Sequence, residues 1–312
     1  MPSTTAAPAL IRRRSLLGAL PSWWHLLSLD APTVAALWSW SLARSLGARL
    51  PVTAPLLLAT GTWLLYVADR LLDVRLLDAR SPAAHLRERH HFSYRHRRSF
   101  LTATIPITAL LLWLIAFRMS PAARRDDTAL FALTLAYFAA VHWPRGAGRR
   151  IFLPKEMAVG ILFALAAAVP AWARIPHVPF STALLGTATA LFAVLCWLNC
   201  AAIEKWEQDK WEQGKWENPA LLRQQSSHPT TQWLQRRLTV VSIALATTGL
   251  IAAALCIPRE ADAAAALFLA LSLAAVLLAV LDRRHTHLPA LPLRIAADAA
   301  LLTPLLVLPI LR

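Results

Sequence analysis

Residues 238–284 read LTVVSIALATTGLIAAALCIPREADAAAALFLALSLAAVLLAVLDRR. Two apolar runs, 238–257 and 263–281, flank a short polar connection carrying Arg259, and the second run ends on Arg283 and Arg284. Neither run alternates with period two. A helix of about 20 residues spans the roughly 30 Å hydrocarbon layer of a bilayer. In lipid, a Leu- and Ala-rich segment satisfies its backbone N–H and C=O groups only by bonding within its own helix. The stretch therefore reads as two membrane helices joined by a tight connection, and it decides the fold class.

Working outward with a window of about 19 residues, nine spans emerge, at 25–46, 52–73, 100–117, 128–143, 154–173, 180–203, 238–257, 263–281 and 290–311. The expected architecture is an all-α, polytopic membrane helical bundle of about nine transmembrane helices. Composition agrees. Of 312 residues 57% are apolar and 16% charged, against about 25% charged in an ordinary soluble protein, and the mean hydropathy is +0.48. This excludes an intrinsically disordered chain. Residues 1–23 are expected as a basic cytoplasmic tail, and 24–312 as a single transmembrane helical domain with cytoplasmic loops 74–99 and 204–236. Arg12, Arg13 and Arg14 precede the first span, but Trp23, Trp24 and Asp30 fit a cleavable signal poorly. Cys196, Cys200 and Cys256 lie inside apolar blocks and form neither a disulfide framework nor a zinc spacing.

A net charge of +15, from 32 Lys+Arg and 17 Asp+Glu, is unusual on so apolar a chain. The location of the charges explains it. With the N-terminus inside, 22 of the 32 basic residues fall in cytoplasmic segments, eight fall outside, and Arg70 and Arg294 belong to spans. This is the positive-inside bias, so the expected orientation is N-in and C-out. The charge is orientation charge, and nucleic acid is not an expected partner. The expected location is the plasma (inner) membrane of a bacterium.

Ionisable groups inside spans cost roughly 2.5–3.5 kcal/mol on insertion scales and are functional-site hypotheses by default. Asp69 and Asp73, in YVADRLLDVR at the cytoplasmic end of the second span, are separated by about 40° around a helix. They could share a divalent cation, or Asp69 could pair with Arg70 or Arg75 and end the helix. Asn199 and Glu204 close the sixth span, with Glu207 and Asp209 beyond. Asn199 and Glu204 lie about 140° apart on a regular helix and share a face only if it unwinds. The pentad repeat KWEQDKWEQGKWEN at 205–218 suits neither a helical stripe nor a strand face. It reads as an interfacial loop, or as a lid over a cytoplasm-facing cavity. Arg89, Arg95 and Arg97, among His90, His91 and His96, suit an anion, either lipid headgroup or substrate diphosphate. Lys155 opens the fifth span and could reach a phosphate or snorkel. Arg294 and Asp298, spaced i, i+4, suggest an ion pair within one helix. Asp30 has no local partner, and one is expected from another helix.

Nine helices, N-in and C-out, acidic motifs at the cytoplasmic ends of helices two and six, and a Lys leading into helix five together make the chain resemble the UbiA-type superfamily of intramembrane prenyltransferases. That family's first motif reads N-D-x-x-D-x-x-x-D. Here Asp69 stands at the Asn position and Asp73 at the middle Asp, while Arg70 and Leu77 replace two carboxylates. The second motif is represented by Asn199 and, in looser positions, Glu204, Glu207 and Asp209. The resemblance implies transfer of an isoprenyl group from an isoprenyl diphosphate to a lipophilic acceptor, assisted by Mg²⁺, at a site facing the cytoplasm. It implies Asp69, Asp73, Asn199 and Glu204 as metal-holding catalytic residues. Arg70, Arg89, Arg95, Arg97 and Lys155 would surround the substrate, with Asp298 nearby. The alternatives at this stage are a catalytically degenerate UbiA-like lipid-binding or scaffold protein and a polytopic transporter. Acceptor, prenyl length and oligomeric state are unreadable from the sequence.

Overall fold

The computed structural model describes residues 16–78, 88–119, 121–142, 154–213 and 228–310. Among these the fold is all-helical, without a strand. The helices are α1 Leu16–Leu26, α2 Asp30–Arg44, α3 Thr53–Asp78, α4 Glu88–Arg95, α5 Arg97–Arg118, α6 Pro121–His142, α7 Lys155–Trp172, α8 Pro179–Gln213, α9 Pro229–Arg236, α10 Leu238–Cys256, α11 Asp262–Arg284 and α12 Ala290–Ala300.

Five stretches are long and apolar enough to cross a membrane: α5, α7, Pro179–Asp209 within α8, α10 with its following turn to Arg259, and α11 extended to His287. Their outward faces are apolar. On α5 only Phe100 and Leu114 are buried, while Ile105, Leu112, Trp113 and Phe117 are exposed. A solvated helix would carry polar residues there. The interior is built from small residues around a few aromatics. Trp38 of α2 stacks on Phe192 of α8 with ring centroids 4.0 Å apart. The Trp38 indole N–H donates to the Leu301 carbonyl at 2.8 Å.

In lipid, helices associate by close backbone approach rather than by hydrophobic contrast. Gly160 of α7 faces α8 so closely that a Cβ there would sit 2.8 Å from the Trp197 amide nitrogen and 2.9 Å from the Ala193 carbonyl oxygen. Gly249 of α10 plays the same part against α11, where a Cβ would run into the Ser272 hydroxyl. The α7–α8 and α10–α11 pairs are the most extensively packed in the molecule, and α2 lies against both α3 and α7.

Two of the expected spans are interrupted, and the stretches expected as loops contain helix. The first span is not one helix: α1 stops at Leu26, and Ser28 takes φ +61° before α2 begins at Asp30. The last is also broken. α12 ends at Ala300 and Thr303–Val307 forms a 3₁₀ turn, because Pro304 has no N–H to continue the ladder. The stretch expected as a loop from 204 is helical to Gln213 and again in α9. The loop expected at 74–99 contains the end of α3, α4 and the start of α5. The fourth span is the apolar part, Thr128–Tyr137, of the longer α6.

Candidate functional site

The chain reversal at Ser28 folds the end of α1 over the start of α2. His25 is fully buried, with Nδ1 2.7 Å from Asp30 Oδ2. Asp30 opens α2, and its Oδ1 accepts from the Ala31 N–H at 2.9 Å. A carboxylate at a helix N-terminus also gains from the helix dipole. The His25 carbonyl at the end of α1 accepts from the Ser28 N–H at 3.1 Å. Arg70 Nη1 of α3 adds a bond to it at 3.2 Å and bonds the Leu26 carbonyl at 3.3 Å. Arg70 Nη2 lies 3.8 Å from Asp30 Oδ2.

α12 approaches from the other side. Asp298 Oδ2 is 3.4 Å from His25 Nδ1, and Asp298 Oδ1 accepts from Asn199 Nδ2 of α8 at 3.1 Å. Arg294 does not pair with Asp298 in the way its i, i+4 spacing suggested. Its Nη1 bonds Glu207 of α8. Two helices packed along their length offer each buried charge a partner across the interface, and that contact excludes water better than one along the helix surface. The result is a continuous polar interior joining α1, α2, α3, α8 and α12. It holds three carboxylates (Asp30, Asp298, Glu207) and two guanidiniums (Arg70, Arg294) around His25.

Of the residues singled out in the sequence, Arg70, Asn199 and Asp298 are buried or nearly so and belong to this network. Asp69 is half-buried one position along α3. Tyr66, a turn earlier, feels the charges of Asp69, Asp30 and Asp298 together. α3 is continuous through Asp73, but the Asp73 and Arg89 side chains lie outside the described residues. Glu204 is half-buried and accepts from Gln208 Nε2 at 3.3 Å. α8 does not unwind between Asn199 and Glu204, so the two point to different sectors. Lys155 is exposed at the start of α7. It and Glu156 act electrostatically on the Cys200 thiol, as Arg294 and Asp298 do, so the N-terminus of α7 borders the same interior. Arg95 and Arg97 are exposed on either side of the break at His96, with the Arg97 guanidinium 4.9 Å from the centre of the Tyr94 ring.

A second polar node lies at the same end of the bundle. Asp282 of α11 accepts from Lys205 Nζ at 2.8 Å and Trp206 Nε1 at 3.0 Å, both of α8, and from Thr239 Oγ1 of α10 at 2.8 Å. His285 Nε2 is 3.0 Å from Asp209 Oδ2. The first KWE unit of the repeat is therefore part of a packed helix, with Trp206 buried, rather than an interfacial loop. The third unit lies outside the described residues. Sequence reasoning did not single out His25. Its one signal was an imidazole in an apolar stretch, five residues before an unpartnered Asp. Comparison with protein-family models, curated proteins and solved structures finds no match.

Proposed function

We propose that the chain is a nine-span, N-in and C-out membrane protein of UbiA type. It would transfer an isoprenyl group from an isoprenyl diphosphate to a lipophilic acceptor at a cytoplasm-facing site in a bacterial inner membrane. The observation that carries this reading is that the two motif helices border one polar interior: Arg70 of α3 and Asn199 of α8 are linked through His25, Asp30 and Asp298. The contacts agree with the expected grouping of segment ends, which is the same for either direction across the membrane. His25–Asp298, Arg294–Glu207, Thr231–Glu156 and Lys205–Asp282 each join two residues assigned to the cytoplasmic side. Arg259 over the Phe180 ring joins two assigned to the outside.

The donor set suits Mg²⁺. Asp69 and Asp73, one turn apart on the continuous α3, offer the carboxylate oxygens that Mg²⁺ prefers. Asp69 and Asp73 would hold the ion, which when bound neutralises charge on the departing diphosphate oxygens; Asn199 and Glu204, in different sectors of the unbroken α8, would not share it. The exposed Lys155 ammonium and the Arg95 and Arg97 guanidiniums form a basic rim that draws the diphosphate to the membrane surface. Arg70 is held by Asp30 and two carbonyls, so its task is to fix the rotation of α3 and with it the direction of Asp69.

The test is Mg²⁺-dependent diphosphate release from an allylic isoprenyl diphosphate by the detergent-purified protein with a lipophilic aromatic acceptor. Asp69→Asn and Asp73→Asn should abolish release. Asp262→Asn, at the exposed start of α11, should not. Release that is independent of Mg²⁺, or equal in all three variants, refutes the assignment.

A further inference from the structure

The trio His25, Asp30 and Asp298 is not used by the reaction above. Both ring nitrogens of His25 are buried without an aligned hydrogen-bond partner. The Nδ1 contacts to Asp30 Oδ2 at 2.7 Å and Asp298 Oδ2 at 3.4 Å are not aligned as hydrogen bonds, and Nε2 has no partner in a fully buried residue. Two oxygens close to Nδ1 but off its in-plane axis are placed as neighbouring ligands of one ion. With bonds of about 2.1 Å, adjacent ligand atoms lie about 3 Å apart, each about 45° off the other's bond. One ligand atom from each residue falls within 4.8 Å of the other two.

Asn199 adds a second, independent sign. Asp298 only accepts, so the Asn199 amide must present Nδ2 to it. Oδ1 is left as a buried acceptor without a donor on a residue 7% exposed. Arg70 steadies the Asp30 carboxylate from outside, as groups behind metal ligands do. The Asp298 side chain is 16% exposed, which gives an ion a way in.

We propose that His25 Nδ1, Asp30 and Asp298 bind a divalent first-row transition cation, with Asn199 Oδ1 as a further oxygen donor. An imidazole nitrogen beside carboxylates selects Mn²⁺, Fe²⁺, Co²⁺ or Zn²⁺ over Mg²⁺ and Ca²⁺. The site is separate from the diphosphate chemistry and needs neither substrate nor turnover.

The experiment uses the detergent-purified full chain, stripped with chelator and titrated with Mn²⁺ in the absence of any diphosphate. Elemental analysis should give one Mn²⁺ per chain, and pulsed EPR should detect a directly bound imidazole nitrogen. His25→Gln should remove the nitrogen signal and weaken Mn²⁺ binding at least tenfold. Asp298→Asn keeps an acceptor for Asn199 and should weaken binding comparably, which carries the test if His25→Gln does not fold. Sub-stoichiometric Mn²⁺, bound Mn²⁺ without a nitrogen coupling, or unchanged affinity in Asp298→Asn each overturns the proposal. None of these outcomes bears on prenyl transfer, which is read by diphosphate release.

Discussion

Removing the Asp282 carboxylate should loosen the joint between α8, α10 and α11. One oxygen takes both the Lys205 ammonium and the Trp206 indole N–H, and the other takes the Thr239 hydroxyl. In Asp282→Ala each donor loses its acceptor. The Lys205 side chain is 25% exposed and rehydrates, so that pair contributes about 1 kcal/mol. The Trp206 N–H is buried and has no such recourse; an orphaned buried donor costs about 1–3 kcal/mol. Thr239 can turn its hydroxyl to a carbonyl one turn back and loses little. The total is about 3 kcal/mol. At about 2 °C per kcal/mol for a chain of this size, the unfolding midpoint in detergent should fall by about 6 °C. Asp282→Asn keeps an acceptor for Lys205 and Trp206 and offers its NH₂ to the Thr239 oxygen, so it should fall by about 2 °C. A thermal melt followed by tryptophan fluorescence separates the two. A fall of under 1 °C in Asp282→Ala, or equal falls in both variants, refutes the reasoning.

Other outcomes follow from the packing. Gly160→Ala should destabilise by about 1–3 kcal/mol, because its Cβ would meet the α8 backbone, whereas Gly186→Ala, with open space around it, should leave the midpoint unchanged in the same melt. Trp38→Phe keeps the stack on Phe192 but loses the bond to the Leu301 carbonyl and should cost about 1–2 kcal/mol; chemical denaturation in mixed micelles reads it. Alkaline phosphatase fused after Arg174 or Arg259 should be active and fused after Arg284 inactive, and the opposite pattern would invert the orientation.

The helical fold was legible wherever one physical requirement dominated. The runs at 180–203, 238–257 and 263–281 can satisfy their backbones in lipid in one way only, and the structure has α8, α10 and α11 there. The break at Ser28 was not legible and that at Leu301 was signalled only by Pro304, because each is also held by a residue distant in sequence. Trp38 takes the Leu301 carbonyl, and Arg70 takes the carbonyls before Ser28. The polar interior was legible residue by residue but not pair by pair. Asp30, Asn199, Arg294 and Asp298 stood out as polar groups in spans. That Arg294 reaches Glu207 and leaves Asp298 to His25 and Asn199 depends on how α8 and α12 are rotated, which the spacing along one helix does not encode. The pentad repeat misled for a related reason: periodicity alone could not show that Trp206 finds an acceptor on α11.

The break at Ser28 also constrains how the molecule assembles. Two carbonyls after α1 are taken by side chains of α3: that of Leu26 by Arg70 and that of Leu27 by the Trp63 indole at 3.1 Å. Exposed carbonyls are costly in hydrocarbon. The first segment therefore cannot settle into its final shape as it leaves the ribosome. It must wait at the bilayer surface, or in the insertion machinery, until the second segment arrives with Trp63 and Arg70. Shortening the 46–52 connection, or splitting the chain within it, should arrest membrane integration of the first segment while the later α10–α11 hairpin still inserts.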